Sequence, residues 1–174
     1  MTSRKRPKLV LAIYFQTSGF GFVLLEHGLS PVDWGAPEVR GKDRAKRCLK
    51  RIDALLALHA PDMLILQDMS RRGVRRAPRI RALNYHTLLL AMRRGIPVRV
   101  FSRAQVIDCF EGFGATTKQR IAETIATHIP ALSLYVPPPR KPWKSEDARM
   151  GIFEAAALVW TFFESSRGAP LELK

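Results

Sequence analysis

An acid inside an apolar helix is a chemical signal, because a buried carboxylate costs free energy unless a cation or a metal ion pairs with it. Glu154 is such an acid. It interrupts "MGIFEAAALVW", residues 150–160, which otherwise reads as a helix packed on all sides. Asp147 lies seven residues earlier, so one continuous helix would set both carboxylates roughly on one face. Asp147 could equally be a first-turn acid that complements the helix dipole. Two basic segments offer a different chemistry. "SRRGVRRAPRIRA" carries Arg71, Arg72, Arg75, Arg76, Arg79 and Arg81 and no acid, and "RKPWK" sets Arg140, Lys141 and Lys144 around Trp143. Forked guanidinium donors suit phosphate, and an aromatic ring among cations suits unpaired or splayed nucleic acid. Trp143 could also be a hydrophobic plug, and a charge run is in many proteins only a solvated surface.

The whole chain supports a polyanion partner. Its 174 residues hold 29 Lys and Arg against 15 Asp and Glu, a net charge of +14, and that field favours nucleic acid or an anionic membrane surface. No apolar run approaches the roughly 20 residues needed to cross a bilayer, and the basic start "MTSRKRPKLVLAIYF" lacks the small-residue cleavage site of a signal peptide. A soluble, cytoplasmic protein without a membrane role is expected. Cys48 and Cys109 lack metal-ligand spacing and read as small buried thiols, while His27, His59, His86 and His128 are too scattered to suggest a zinc site or a triad.

These residues must be positioned by a layered domain. "LVLAIYFQTSGFGFVLLE" reads as two strands on a Gly-rich turn, and "PVDWGAPEVR" supplies a third, giving an antiparallel meander. Residues 43–59 carry Ala45, Leu49, Ile52, Leu55 and Leu56 at helical spacing, and "MLILQDM" reads as a central strand buried on both faces, ending at Gln67 and Asp68. A helix through "APRIRALNYHTLLLAMRRG" stops at Gly95, "PVRVFS" is a further strand, and Ser102 caps a short helix. "KQRIAETIATHI" is the next helix, "VPPPRKPW" a stiff connection, and a last helix opens at Ser145. The order predicts an α/β domain over residues 9–164, built on a mixed five-stranded sheet, between a basic tail (1–8) and a C-terminal tail (165–174).

That order resembles the ribonuclease H-like three-layer fold, with helices on both faces of the sheet. "GFGATTKQRIAE" is similar to the Gly-x-Gly-x-x-x-Lys-Gln segment of RuvC-type Holliday-junction resolvases, "AIYFQTSGFGFVLLE" to their first hairpin, "LILQDM" to their central strand and "SEDARMGIFEAAALV" to their final acidic helix. The resemblance implies a dimer that binds branched DNA and cuts it with Mg²⁺ or Mn²⁺ held by carboxylates on the first strand, the central strand and the last helix. Two of those positions depart from the pattern, since Tyr14 stands where the first-strand Asp is expected and Gln67 where the central-strand Glu is expected. A neutral phenol and an amide are poor replacements for anionic oxygens. Asp147 and Glu154 remain as metal ligands, and Lys118 takes the place of a phosphate contact or active-site cation.

The favoured expectation is a RuvC-like protein that engages branched or distorted DNA with an impaired catalytic site. Two alternatives stand beside it. One is an active metal-dependent endonuclease with an altered shell, in which Asp147 and Glu154 bind Mg²⁺ or Mn²⁺ and Gln67 lends its carbonyl oxygen. The other is a non-catalytic scaffold whose basic surface meets an acidic protein. Tyr14 itself is either an ordinary strand aromatic or the occupant of a vacated ligand position.

Overall fold

The computed structural model describes residues 7–70 and 75–167. Three strands open the chain, β1 (Leu9–Gln16), β2 (Gly19–Glu26) and β3 (Ser30–Gly35), followed by α1 (Arg44–His59), β4 (Met63–Gln67), α2 (Pro78–Arg93) and β5 (Val98–Phe101). The helices α3 (Arg103–Glu111) and α4 (Lys118–His128), a 3-10 turn at Pro130–Tyr135 and the long α5 (Met150–Arg167) complete it. The strands lie in the order β3-β2-β1-β4-β5, with β1 antiparallel to β2 and parallel to β4. The sheet is therefore mixed, with its parallel half buried under helices on both faces.

Strand alternation explains the two cores. Val10, Ala12 and Tyr14 of β1 share a face with Val23, Leu25 and Ile65 and pack under α3, α4 and α5. Leu11, Ile13 and Phe15 point the other way with Leu24, Leu64 and Leu66, against α1 and α2. Sequence periodicity located these elements because each is amphipathic or flanked by a turn signal. The left-handed Gly95 closes α2, and Ser102 caps α3 through a reciprocal capping box with Gln105. The third strand is shorter than its sequence suggests. It stops at Gly35, and beyond it Glu38 keeps only one isolated bridge to Gly19.

The last helix differs more. The expected start at Ser145 is wrong: α5 begins at Met150, and Asp147 lies in the turn before it. The Asp147 carboxylate accepts from the Arg149 backbone N–H at 2.9 Å, and the carbonyls of Asp147, Ala148 and Arg149 accept from residues three positions on. A short Asp side chain that bonds its own backbone two residues ahead favours a turn over a helix. Once started, α5 is apolar on every side and buried from Met150 to Phe162, and it runs three residues past the expected domain end at residue 164.

Two glycines fix where α5 lies. A Cβ on Gly21, which pairs with Tyr14 across the β1–β2 ladder, would sit 2.1 Å from the Gly151 carbonyl carbon. A Cβ on Gly151 would fall 3.0 Å from the Gly21 Cα. Helix and strand backbones thus touch one turn before Glu154. Replacing Gly21 with Ala is expected to lower stability on the order of 3 kcal/mol, because backbone rather than a yielding side chain must move. Denaturant unfolding of that variant measures it, and a change within about 0.5 kcal/mol would show that the helix is not pinned there.

Candidate functional site

The close approach of α5 brings Glu154 over the C-terminal half of β1. Tyr14, Gln67 and Glu154 come from β1, β4 and α5 and line one small gap together with Arg103 and Phe101. Gln67 and Tyr14 share the face that carries Ile65, as strand parity requires. Asp68, one residue on, instead accepts from the Ser70 N–H and hydroxyl. Gln67 leaves its Oε1 buried without a partner among the described residues.

Cations surround this trio. Glu154 is 7% exposed and accepts from Arg103 Nη1 at 3.1 and 3.3 Å, with Lys118 Nζ at 4.0 Å. Arg103 and Lys118 are the first residues of α3 and α4, set in place by the Ser102 and Thr117 caps. Lys118 also donates to Glu146 at 2.8 Å and stands 5.8 Å from the Tyr14 ring centroid. Arg76 lies 5.1 Å from the same centroid and donates to the Tyr14 hydroxyl at 3.4 Å and to the Phe15 carbonyl.

Burial pushes the Glu154 carboxyl above the usual carboxylate range, and Arg103 and Lys118 oppose that only in part. Burial, aided by Glu154, also raises the Tyr14 hydroxyl, so it stays a neutral phenol at physiological pH. Burial alone would lower the Lys118 ammonium, but Glu154, Tyr14 and Glu146 outweigh it and hold Lys118 above its ordinary value.

Asp147 does not join them. Both its oxygens accept from the Arg149 guanidinium, at 2.7 and 3.0 Å, which holds its pKa below the ordinary value. The seven-residue spacing loses its meaning because Asp147 lies in the turn before α5 and not on the helix that carries Glu154. The pairing of Asp147 with Glu154 on a shared ion is therefore not what this structure supports. Among the described residues no group of three or more His, Cys, Asp or Glu side chains is placed to hold a metal.

Mg²⁺ and Mn²⁺ favour several anionic oxygens. Here one carboxylate, one amide oxygen and one neutral phenol stand among three cations, and the gap they enclose is about 10 Å³, at the lower bound for a single water. That donor set does not fit a divalent metal centre.

The basic residues separate into groups. Arg75 and Arg81 are exposed, Arg79 donates to the Thr17 carbonyl at 3.3 Å, and Arg76 turns inward onto Tyr14 instead of facing solvent with the rest. Arg71 and Arg72 lie outside the described residues. Arg140, Lys141 and Lys144 line a cleft of about 970 Å³ that also reaches Lys118. Arg103 was not legible as a site residue. Its only sequence signal is a basic residue directly after a helix cap, where the dipole disfavours a cation and some anion must compensate.

A raised carboxyl pKa has a definite linkage sign. Below the unfolded value near 4.5 Glu154 is protonated in both states, and the folded state holds that proton more tightly as pH rises. Its stabilising contribution is present below that value and is lost as pH climbs through the folded pKa. The stability of the parent relative to Glu154→Gln is therefore expected to decline from about pH 4 toward neutrality, where the parent buries a charge that the variant lacks. Paired thermal melts across that range read the slope, and a difference that grows with pH would reverse the assignment.

Comparison with family models and with curated protein sequences gives no match. Comparison with solved structures does. Thermus thermophilus RuvC is similar at a TM-score of 0.64 and 18% identity over 91% of this chain and 95% of that one. The same protein in complex with a Holliday junction substrate gives 0.64 and 18% over 92% and 96%. The yeast mitochondrial Holliday junction resolvase gives 0.63 and 14% over 94% and 82%. The chain has the RuvC-like, ribonuclease H-like fold.

Proposed function

We propose that this protein binds branched or distorted DNA through a RuvC-like scaffold whose metal-dependent cleavage chemistry is absent. The observation that carries the reading is the inverted charge at the end of β1. Arg103 and Lys118 flank the one carboxylate of the trio, Lys118 is held by Glu146 as well, and Arg76 covers the Tyr14 phenol, where metal-dependent cleavage would need convergent acids. The net charge of +14 and the exposed arginines of α2 and its approach supply a surface for phosphates. Similarity to a resolvase captured with a Holliday junction substrate supports a branched ligand. The altered-shell nuclease would need Asp147 and Glu154 on one ion, and their separate partners count against it.

Binding to a labelled four-way junction, a duplex and a single strand, in EDTA and in Mg²⁺, tests the reading. Junction binding without nicking is expected in both, with affinity falling on the order of a thousandfold between about 50 and 200 mM salt if about six phosphates are neutralised. Nicking in Mg²⁺ or Mn²⁺ would establish the altered-shell enzyme, and no binding to any nucleic acid would favour the scaffold.

The convergence of β1, β4 and α5 has its own test. Tyr14→Asp combined with Gln67→Glu would place two further carboxylates beside Glu154. Added Mn²⁺ is expected to raise the melting temperature of this double variant and leave the parent unmoved, since an ion that binds only the folded state stabilises it by mass action. A folded double variant that ignores Mn²⁺ would mean that these three positions do not converge on one ion.

A further inference from the structure

The Pro-rich connection before α5 is built more firmly than a passive linker requires. Pro137, Pro138 and Pro139 restrict the backbone, and the turn that follows is closed twice: Arg140 Nε donates to the Lys144 carbonyl at 2.7 Å, and the Lys144 N–H donates to the Lys141 carbonyl at 3.0 Å. At its tip Trp143 is 77% exposed, so it is not a plug for the connection. Lys141 Nζ lies 5.7 Å from the Trp143 ring centroid, a cation–π contact that orients the ring and leaves it open to solvent. The residues on either side, Lys141 and Lys144, line the cleft that leads to Lys118. The acids of that cleft have partners of their own, Glu38 with Arg40, Glu146 with Lys118 and Asp147 with Arg149. Arg140, Lys141 and Lys144 make no ion pair among the described residues, so the turn presents a free aromatic face among three available cations.

We propose that this turn is the binding site for one unpaired base of a bound strand. Trp143 stacks on the base, Arg140, Lys141 and Lys144 meet the flanking phosphates, and the cleft carries the backbone toward Lys118. The ligand that matches is a flat ring with an anion on each side, which a single-stranded or bulged nucleotide supplies and a paired duplex hides in its own stack. This assignment rests on the DNA-binding reading, and it names the feature of distorted DNA that is recognised. A rigid turn suits the task because little conformational freedom is lost when the base arrives.

The test compares the parent, Trp143→Ala and Trp143→Phe on a duplex and on the same duplex carrying one bulged nucleotide. Trp143→Ala is expected to lose affinity for the bulged duplex by on the order of tenfold, Trp143→Phe to recover most of it, and the paired duplex to bind all three alike. Tryptophan emission of the parent should be quenched by the bulged duplex and that quenching lost in Trp143→Phe, since Trp160 is buried and Trp34 half-buried. Equal losses on paired and bulged DNA would make Trp143 a general duplex contact and overturn the inference. Unchanged binding by Trp143→Ala with quenching retained in Trp143→Phe would overturn it too, while leaving the DNA-binding reading intact. A parent that binds neither DNA would end both.

Discussion

Glu154 must be paired. A carboxylate that is 7% exposed cannot be left alone in an apolar helix, and its two partners come from the first residues of α3 and α4. Those are poor places for a cation, because the exposed N–H groups of a helix N-terminus already carry partial positive charge. Glu154 thus helps to offset two unfavourable placements, with Glu146 sharing Lys118, and ties three helices to one point above β1. The caps at Ser102 and Thr117 are part of the same device, since they set the φ/ψ of the entering chain and so aim the side chain that follows.

The pairing has consequences for the neighbours. A carboxylate close to Tyr14 works against a phenolate, so Tyr14 remains a neutral hydrogen-bonding group and a π surface for Lys118 and Arg76. Arg76 leaves the exposed basic surface to cover that ring, and its Nε is buried without a partner among the described residues. Like the Gln67 Oε1, it shows that the cluster is tightly filled but not fully satisfied. Unmet polar atoms of this kind concentrate where selection acts on something other than stability.

Much of this was legible in the sequence, and the reasons are local. Glu154 stood out as an acid in an apolar run, Ser102 as a cap, Gly95 as a stop, and Gln67 as the polar end of a buried strand. Tyr14, Gln67 and Glu154 meet because strand parity and strand order are encoded by period and by turn length. What stayed hidden depends on turns and on long-range contacts. Asp147 looked helical because acids favour first turns, but its own carboxylate bonds to the backbone ahead and delays the helix by a turn. Arg103 and Arg76 could not be told from solvated cations, since a long side chain can turn inward or outward without any change in the pattern around it.

The relation between this fold and its chemistry then follows from geometry. Gly21 and Gly151 keep the helix and hairpin backbones in contact whatever occupies the gap beyond them, so the scaffold can bring three strand and helix positions together without a metal ion. With acids at all three, repulsion at this distance would demand bound cations from solution. With one acid retained, cations from the chain itself suffice, and Arg103 and Lys118 stand close enough to provide them. The fold therefore accommodates a single acid at these three positions at little structural cost, because fixed guanidinium and ammonium groups balance its charge. The exposed arginines of α2 and the Trp143 turn take no part in that balance.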